Sequence, residues 1–309
     1  MDAGALPKAG DKAALAAALA QLEAAADAPA TQALLGRAID APRAHVIGLT
    51  GPPGVGKSTL TSRLIARMRG AGRTVGVIAV DPSSRRSGGA LLGDRTRLVV
   101  DPEDAGVFVR SMAARDRLGG LAALTVSAMV LMRAVFDRVL IETVGVGQSE
   151  TDIVRVADTV IFCVQPGSGD SLQFMKAGIV EIPHIAVITK GDMGAPARRA
   201  QADMRAALDL ARSGAGDAGW QLPVLSVSAQ TGDGMDALVA AIDAHAAYLG
   251  AEGRLARARH VQAEEWLAEA VRERFGREGL VRAGDLTLAP GENPFGRLSA
   301  IAARLSGDR

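Results

Sequence analysis

Six short apolar runs recur through the middle of the chain: HVIGLT at 45–50, TVGVIAV at 74–80, DRVLIET at 137–143, DTVIFCV at 158–164, HIAVIT at 184–189 and LPVLSVS at 222–228. They are rich in Val and Ile and nearly continuous in apolar character. That pattern suits strands buried on both faces of a parallel sheet, where each side of the strand meets a covering layer. Stretches with helical spacing lie between most of them, so the alternation predicts an α/β fold with a doubly wound, mostly parallel sheet over residues 45–249. Ahead of it, residues 11–40 are Ala- and Leu-rich with scattered charges and read as one or two amphipathic helices, broken near Pro42. Residues 1–44 form an N-terminal helical extension in this division. Residues 250–309 form a helical arm and tail: RLARARHVQAEEWLAEAVRERF is a long charged helix with an apolar stripe through Leu267, Val271 and Phe275, and GENPFGRLSAIAARL adds a turn and a short helix. The apolar stretch LAALTVSAMVLMRAVF is too short and interrupted to span a membrane and reads as a buried helix.

Composition narrows the class. The chain has 309 residues, 48% hydrophobic and 22% charged, which supplies ample material for a core. A formal net charge of +1 offers no bulk attraction to nucleic acid or anionic lipid, and 3% aromatics argues against stacking platforms for single strands. The single cysteine, Cys163, lies in an apolar strand and reads as a buried residue. With no intrachain disulfide possible, the expected compartment is the cytoplasm. The opening MDAGALPKAGDK has acidic residues and no apolar core of a secretory signal.

The first chemical motif is Gly51-Pro52-Pro53-Gly54-Val55-Gly56-Lys57-Ser58, followed by Thr59. It matches G-x-x-x-x-G-K-[ST] after a strand and before a helix, the context that gives this pattern its meaning. The glycines let backbone N–H groups converge on phosphate oxygens, and the helix N-terminus adds partial positive charge. Lys57 is expected at the β/γ-phosphates and Ser58 at a Mg²⁺ ion.

The loop alone does not choose the base. Thr189-Lys190-Gly191-Asp192 ends a strand and resembles the N/T-K-x-D motif of GTPases, in which the carboxylate, here Asp192, accepts from the guanine N1–H and 2-amino groups. The stem of Lys190 is expected over the base, and Thr189 stands where many GTPases carry Asn. The next strand runs into Ser228-Ala229-Gln230, similar to the last GTPase motif, whose backbone faces the guanine O6. Three carboxylates at strand ends or in a glycine-flanked loop, Asp81, Asp94 and Glu142, are the candidate Mg²⁺ contacts, because that ion favours a few carboxylates, phosphate oxygens and retained waters. Asp94 is also a catalytic candidate. Gly145 stands at the γ-phosphate-sensing position.

Taken together, GPPGVGKS, VDPSSRRSGGALLGDRTR, ETVGVGQSE, QPGSGDSLQFMKAGI and TKGD resemble the MeaB/ArgK family, GTPase chaperones of adenosylcobalamin-dependent acyl-CoA mutases such as methylmalonyl-CoA mutase. The resemblance covers essentially the whole chain. It implies a P-loop G domain with a C-terminal dimerisation arm, GTP hydrolysis as a timer for cofactor loading and mutase protection, a homodimer, and switch regions near 82–97, 143–156 and 165–178. It also implies that the third switch touches the mutase and that Lys176 is a catalytic candidate. The stripe Leu267, Val271 and Phe275 is then either an intrachain contact or the face of a symmetric dimer. Three other readings stand beside this one. They are a nickel-delivery GTPase, for which His45, His184, His245 and His260 look scattered; an ATP-using kinase linked to amino-acid transport; and a non-hydrolysing scaffold.

Overall fold

The computed structural model describes residues 5–81, 98–113, 123–143, 152–167, 183–212 and 219–307. In chain order the elements are α1 (Lys12–Ala24), α2 (Pro29–Asp40), β1 (His45–Thr50), α3 (Lys57–Gly70), β2 (Val75–Asp81), β3 (Val107–Ala113), α4 (Ala123–Val135) and β4 (Arg138–Thr143). They continue with β5 (Thr159–Val164), β6 (Ile185–Ile188), α5 (Ala195–Arg212), β7 (Val224–Ser226), α6 (Met235–Gly250), α7 (Arg254–Ala283) and α8 (Pro294–Gly307). The strands form one sheet in the order β3-β2-β4-β1-β5-β6-β7, with every pairing parallel.

Alternation along each strand explains the apolar runs. Val46, Val139, Ile141 and Val160 face one core, while Ile47, Leu49, Leu140 and Ile161 face the other. The second core is closed by Leu60, Leu64 and Met68 of α3 and by Leu238 and Ile242 of α6. The first is closed by α4 together with both chain ends: Leu15 and Leu19 of α1, Leu35 of α2, Leu267 and Val271 of α7, and Phe295 and Leu305 of α8. Both ends of the chain therefore share one core with the same sheet face.

Two expectations need correction. A seventh strand, β3, pairs with β2 in full register from Val75↔Val107 to Asp81↔Ala113. It lies at the sheet edge and carries Arg110 in its middle, which ion-pairs with Glu23 of α1, so its apolar run is interrupted. The stripe on α7 is committed within the chain: Leu267 and Val271 are fully buried in the first core and Phe275 packs against it, so this stripe is not a face open to a second copy. Among the described residues, no helix is long and apolar enough to cross a membrane. Cys163 is fully buried, and burial pushes its thiol up to about 12.

Histidines that look scattered in sequence converge at the start of β1 and β5. The Thr159 hydroxyl lies 2.6 Å from His45 Nε2 and 2.7 Å from His245 Nδ1, and His184 Nδ1 accepts from the Val160 N–H at 2.9 Å. The His184 and His245 rings stack at 4.3 Å. Burial pushes His184 down to about 4 and His245 down to about 3; it also lowers His45, against the opposing pull of Asp158. These imidazoles are neutral in the folded chain, whereas in the unfolded chain each protonates near its ordinary value of ~6.5. The unfolded state then binds more protons as pH falls below that value. Stability is lost from there toward the folded values, at up to about 1.4 kcal/mol per pH unit per imidazole. The urea midpoint is expected to drop between about pH 7 and pH 5. The drop should be shallower in His184→Asn, whose side-chain oxygen can still accept from Val160. A flat profile in the wild type would contradict this.

Candidate functional site

The site lies at the carboxyl ends of β1, β4 and β6, where parallel sheets place their ligands. β1 runs into the loop Gly51–Gly56, and α3 starts at Lys57. Gly51 has φ +136°, and a Cβ there would sit 2.1 Å from the Cys163 carbonyl oxygen of β5, so only glycine lets the loop pass that strand. Gly56 closes the loop in the left-handed region at φ +99°, which sets the first N–H groups of α3 toward the loop cavity. Lys57 is buried, and its ammonium donates to the Gly51 carbonyl at 2.6 Å and the Pro52 carbonyl at 3.0 Å. The charge is held over the loop at the helix N-terminus, where backbone dipoles and the cation favour an anion together.

Beside it, the Ser58 hydroxyl donates to Glu142 Oε1 at 2.5 Å. Glu142, on β4, is almost entirely buried. A hydroxyl and a carboxylate in contact at the mouth of a phosphate loop form a set of hard oxygen donors that suits Mg²⁺. Asp81 ends β2 two strands from β1; its side chain, like Asp94, Gly145 and Lys176, lies outside the described residues.

The far wall is built by β6 and β7. A cavity of about 240 Å³ is lined by Val55, Gly56 and Thr59 of the loop and α3, by Thr189, Lys190 and Asp192, and by Ala229 and Gln230. Three segments, the first more than a hundred residues before the other two, thus meet around one space. Thr189 is buried, and its hydroxyl lies 2.7 Å from the Val55 carbonyl and 3.0 Å from the Val164 carbonyl. Threonine in place of the commoner Asn therefore pins the phosphate loop to the end of β6. Lys190 adopts a left-handed backbone at φ 54°, uncommon for a residue with a side chain, and its ammonium donates to Gln165 Oε1 at 2.5 Å. Asp192 is exposed to the cavity mouth. A hydrogen bond from the Ser228 hydroxyl, followed by one from its own backbone, holds its carboxyl below the usual carboxylate range, so it is an acceptor at neutral pH.

The sequence did not single out Arg63. One turn and a half beyond Lys57 on α3, it donates to the Ala229 carbonyl at 2.6 Å and to the Gln230 carbonyl at 3.3 Å. Those carbonyls are drawn toward α3. The Ser228 N–H donates to the Asp233 carbonyl at 2.9 Å, so of the Ser228-Ala229 pair only the Ala229 amide is left to face a base. No spacing rule marks Arg63, because its partner is a backbone segment more than 160 residues away.

A parallel doubly wound sheet, a glycine loop entering a helix with a buried lysine, and a carboxylate turn on the next strand end but one define a P-loop protein built for a guanine nucleotide. The family model described as Methylmalonyl Co-A mutase-associated GTPase MeaB matches residues 14–281, and the chain belongs to that family of GTPases. It is 35% identical over 302 residues to GTPase ArgK of Escherichia coli, covering 91% of this chain and 90% of that one. It is 38% identical over 230 residues to the mouse protein named Methylmalonic aciduria type A homolog, mitochondrial, covering 74% of this chain and 55% of the mouse chain. The crystal structure of an LAO/AO transport system kinase superposes with a TM-score of 0.67 at 28% identity, covering 96% of this chain and 94% of that one.

Proposed function

We propose that this GTPase is Mg²⁺-dependent and acts as a chaperone of an adenosylcobalamin-dependent acyl-CoA mutase, methylmalonyl-CoA mutase being the first candidate. In this reading it gates cofactor loading and protects or reactivates the client, working in the cytoplasm as a homodimer. The observation that carries the reading is the match of a mutase-associated GTPase family model to residues 14–281, on a chain whose phosphate loop and carboxylate turn meet around one cavity. The proposed division of labour keeps residues 1–44 as a helical extension, 45–249 as the GTPase domain and 250–309 as the arm.

In this mechanism the backbone amides of 51–59 and the Lys57 ammonium hold the β- and γ-phosphates. Asp192 accepts from the guanine N1–H and 2-amino group, the Ala229 amide faces O6, and the Lys190 stem covers the base. Bound Mg²⁺ would neutralise charge on the phosphate oxygens, with Ser58 and Glu142 as its protein contacts and Asp81 and Asp94 as further candidates. Gly145 senses the γ-phosphate, and the client moves Lys176 toward the nucleotide. Delivery of such a cation is worth ~10³-fold or more in rate in related systems.

The test is phosphate release with and without methylmalonyl-CoA mutase, for wild type and Lys176→Ala. The expected outcome is slow basal hydrolysis in both and acceleration in the wild type alone. Equal acceleration in both would remove Lys176 from the mechanism, and no acceleration of the wild type by any cobalamin-dependent mutase would remove the chaperone reading.

A further inference from the structure

A second cavity lies at the seam where α2, α4, α7 and the turn into α8 meet, and it shares no lining residue with the nucleotide site. Its volume is about 280 Å³ and its wall is mostly apolar, with Ile39, Met129, Val130 and Phe295 among the contributors. Into this wall the fold has placed Arg133, in the last turn of α4. The residue is 9% exposed. Its backbone is anchored, the carbonyl accepting from the Arg43 and Ala44 N–H groups at 3.0 and 2.8 Å. Its side chain has neither a hydrogen bond nor an ion pair among the described residues, and Nε is wholly enclosed without an acceptor. Trp266 lines the same wall with its ring, while its indole N–H is enclosed away from the cavity.

The other charged groups of the cavity are matched. Arg259 is bidentate to Asp158, at 2.8 and 2.7 Å. Arg155 lies near Asp152 and Glu265, His260 near Glu264, and Glu292 near Arg297. Arg133 is the cation of this wall with no direct partner; Asp158, which Arg259 engages, acts on it only through space. Burial, with Arg259 nearby and against the pull of Asp158, pushes that guanidinium down to about 10, so it is still charged at neutral pH. A largely buried cation without a direct partner is costly to retain, whereas the same cation opposite a carboxylate makes a strong, directional pair.

We propose that this cavity binds a small organic acid: a compact apolar body carrying one carboxylate, which lies on Arg133. The volume, just below the range of ordinary small-molecule pockets, limits the body to a short alkyl chain or a single ring. A single cation without a direct partner, set in a mostly apolar wall, suits a single negative charge better than a doubly charged phosphate. Such a ligand bridges α2, α4 and the C-terminal helices, so its binding stabilises their mutual packing.

The experiment uses the full chain and four probes: hexanoate, benzoate, hexanol and inorganic phosphate. Hexanoate or benzoate at tenfold over its dissociation constant is expected to raise Tm by about 2–4 °C. Hexanol, with the body but no charge, and phosphate, with charge but no body, should each bind at least tenfold more weakly. Arg133→Met should lose the preference for the acid over the alcohol. If neither acid binds at millimolar concentration, or if acid and alcohol bind alike in the wild type, the proposal is overturned. Unchanged acid binding in Arg133→Met would overturn it equally. Should that variant fail to fold, the comparison of hexanoate with hexanol on the wild type decides alone.

Discussion

Lys57→Ala is expected to lose most GTP hydrolysis, with single-turnover phosphate release falling roughly 10²–10³-fold. The ammonium is buried at the first residue of α3 and is held by the Gly51 and Pro52 carbonyls, so its position is set before any phosphate arrives. A pre-positioned charge costs no reorganisation when negative charge shifts between the β- and γ-phosphates, and a water-poor cavity strengthens its effect. Alanine is the best helix former, so α3 itself should survive the change. Far-UV circular dichroism checks that point. Turnover within tenfold of wild type in a folded variant would sink the assignment of Lys57 to the phosphates.

Asp192→Asn is expected to weaken GTP binding roughly 10–100-fold, the range for hydrogen bonds that involve a charged group. The same change should improve binding of xanthosine triphosphate. The Ser228 hydroxyl explains why the exchange ought to be specific rather than merely damaging. Its oxygen accepts from the Thr231 N–H at 3.2 Å, and its proton points to Asp192. With an amide in place of the carboxylate, that proton still finds the amide oxygen, and the NH₂ is turned to the base. It then offers donors to the xanthine 2-oxo group and meets the guanine 2-amino group donor to donor. Equilibrium titration with both nucleotides checks this, and unchanged affinities for both would show that the carboxylate turn does not read the base.

Much of this molecule is legible in its sequence because two strong periodic signals agree. The Val/Ile runs are buried on both faces, so their apolar character is uninterrupted, and the glycine loop follows the first of them. β3 escaped because an edge strand meets solvent and neighbouring helices on its open side; Arg110 there serves α1, and the run loses its signature. The motif residues Val55, Thr189, Asp192 and Ala229 could be grouped from their order along strand ends, and the structure does bring them around one cavity. Arg63, the Thr159-centred histidines and Arg133 could not be read in this way. Each acts through partners far away in the chain, and a single arginine or histidine in a helix or strand looks the same whether its partner is water, a backbone carbonyl or nothing.

The core that α4 shares with both chain ends bears on how the protein is made. Phe295 and Leu305 pack on the same sheet face as Leu15 and Leu19. While the chain is being synthesised, that face has no complete cover until α8 has emerged from the ribosome, long after every strand of the sheet is available. The nascent chain must therefore carry an open apolar surface through most of its own translation, and a chain that stops a few dozen residues early leaves it open permanently. Loss of the tail is then a defect of biogenesis, felt first as aggregation or degradation, even though the nucleotide-binding motifs all lie upstream of it.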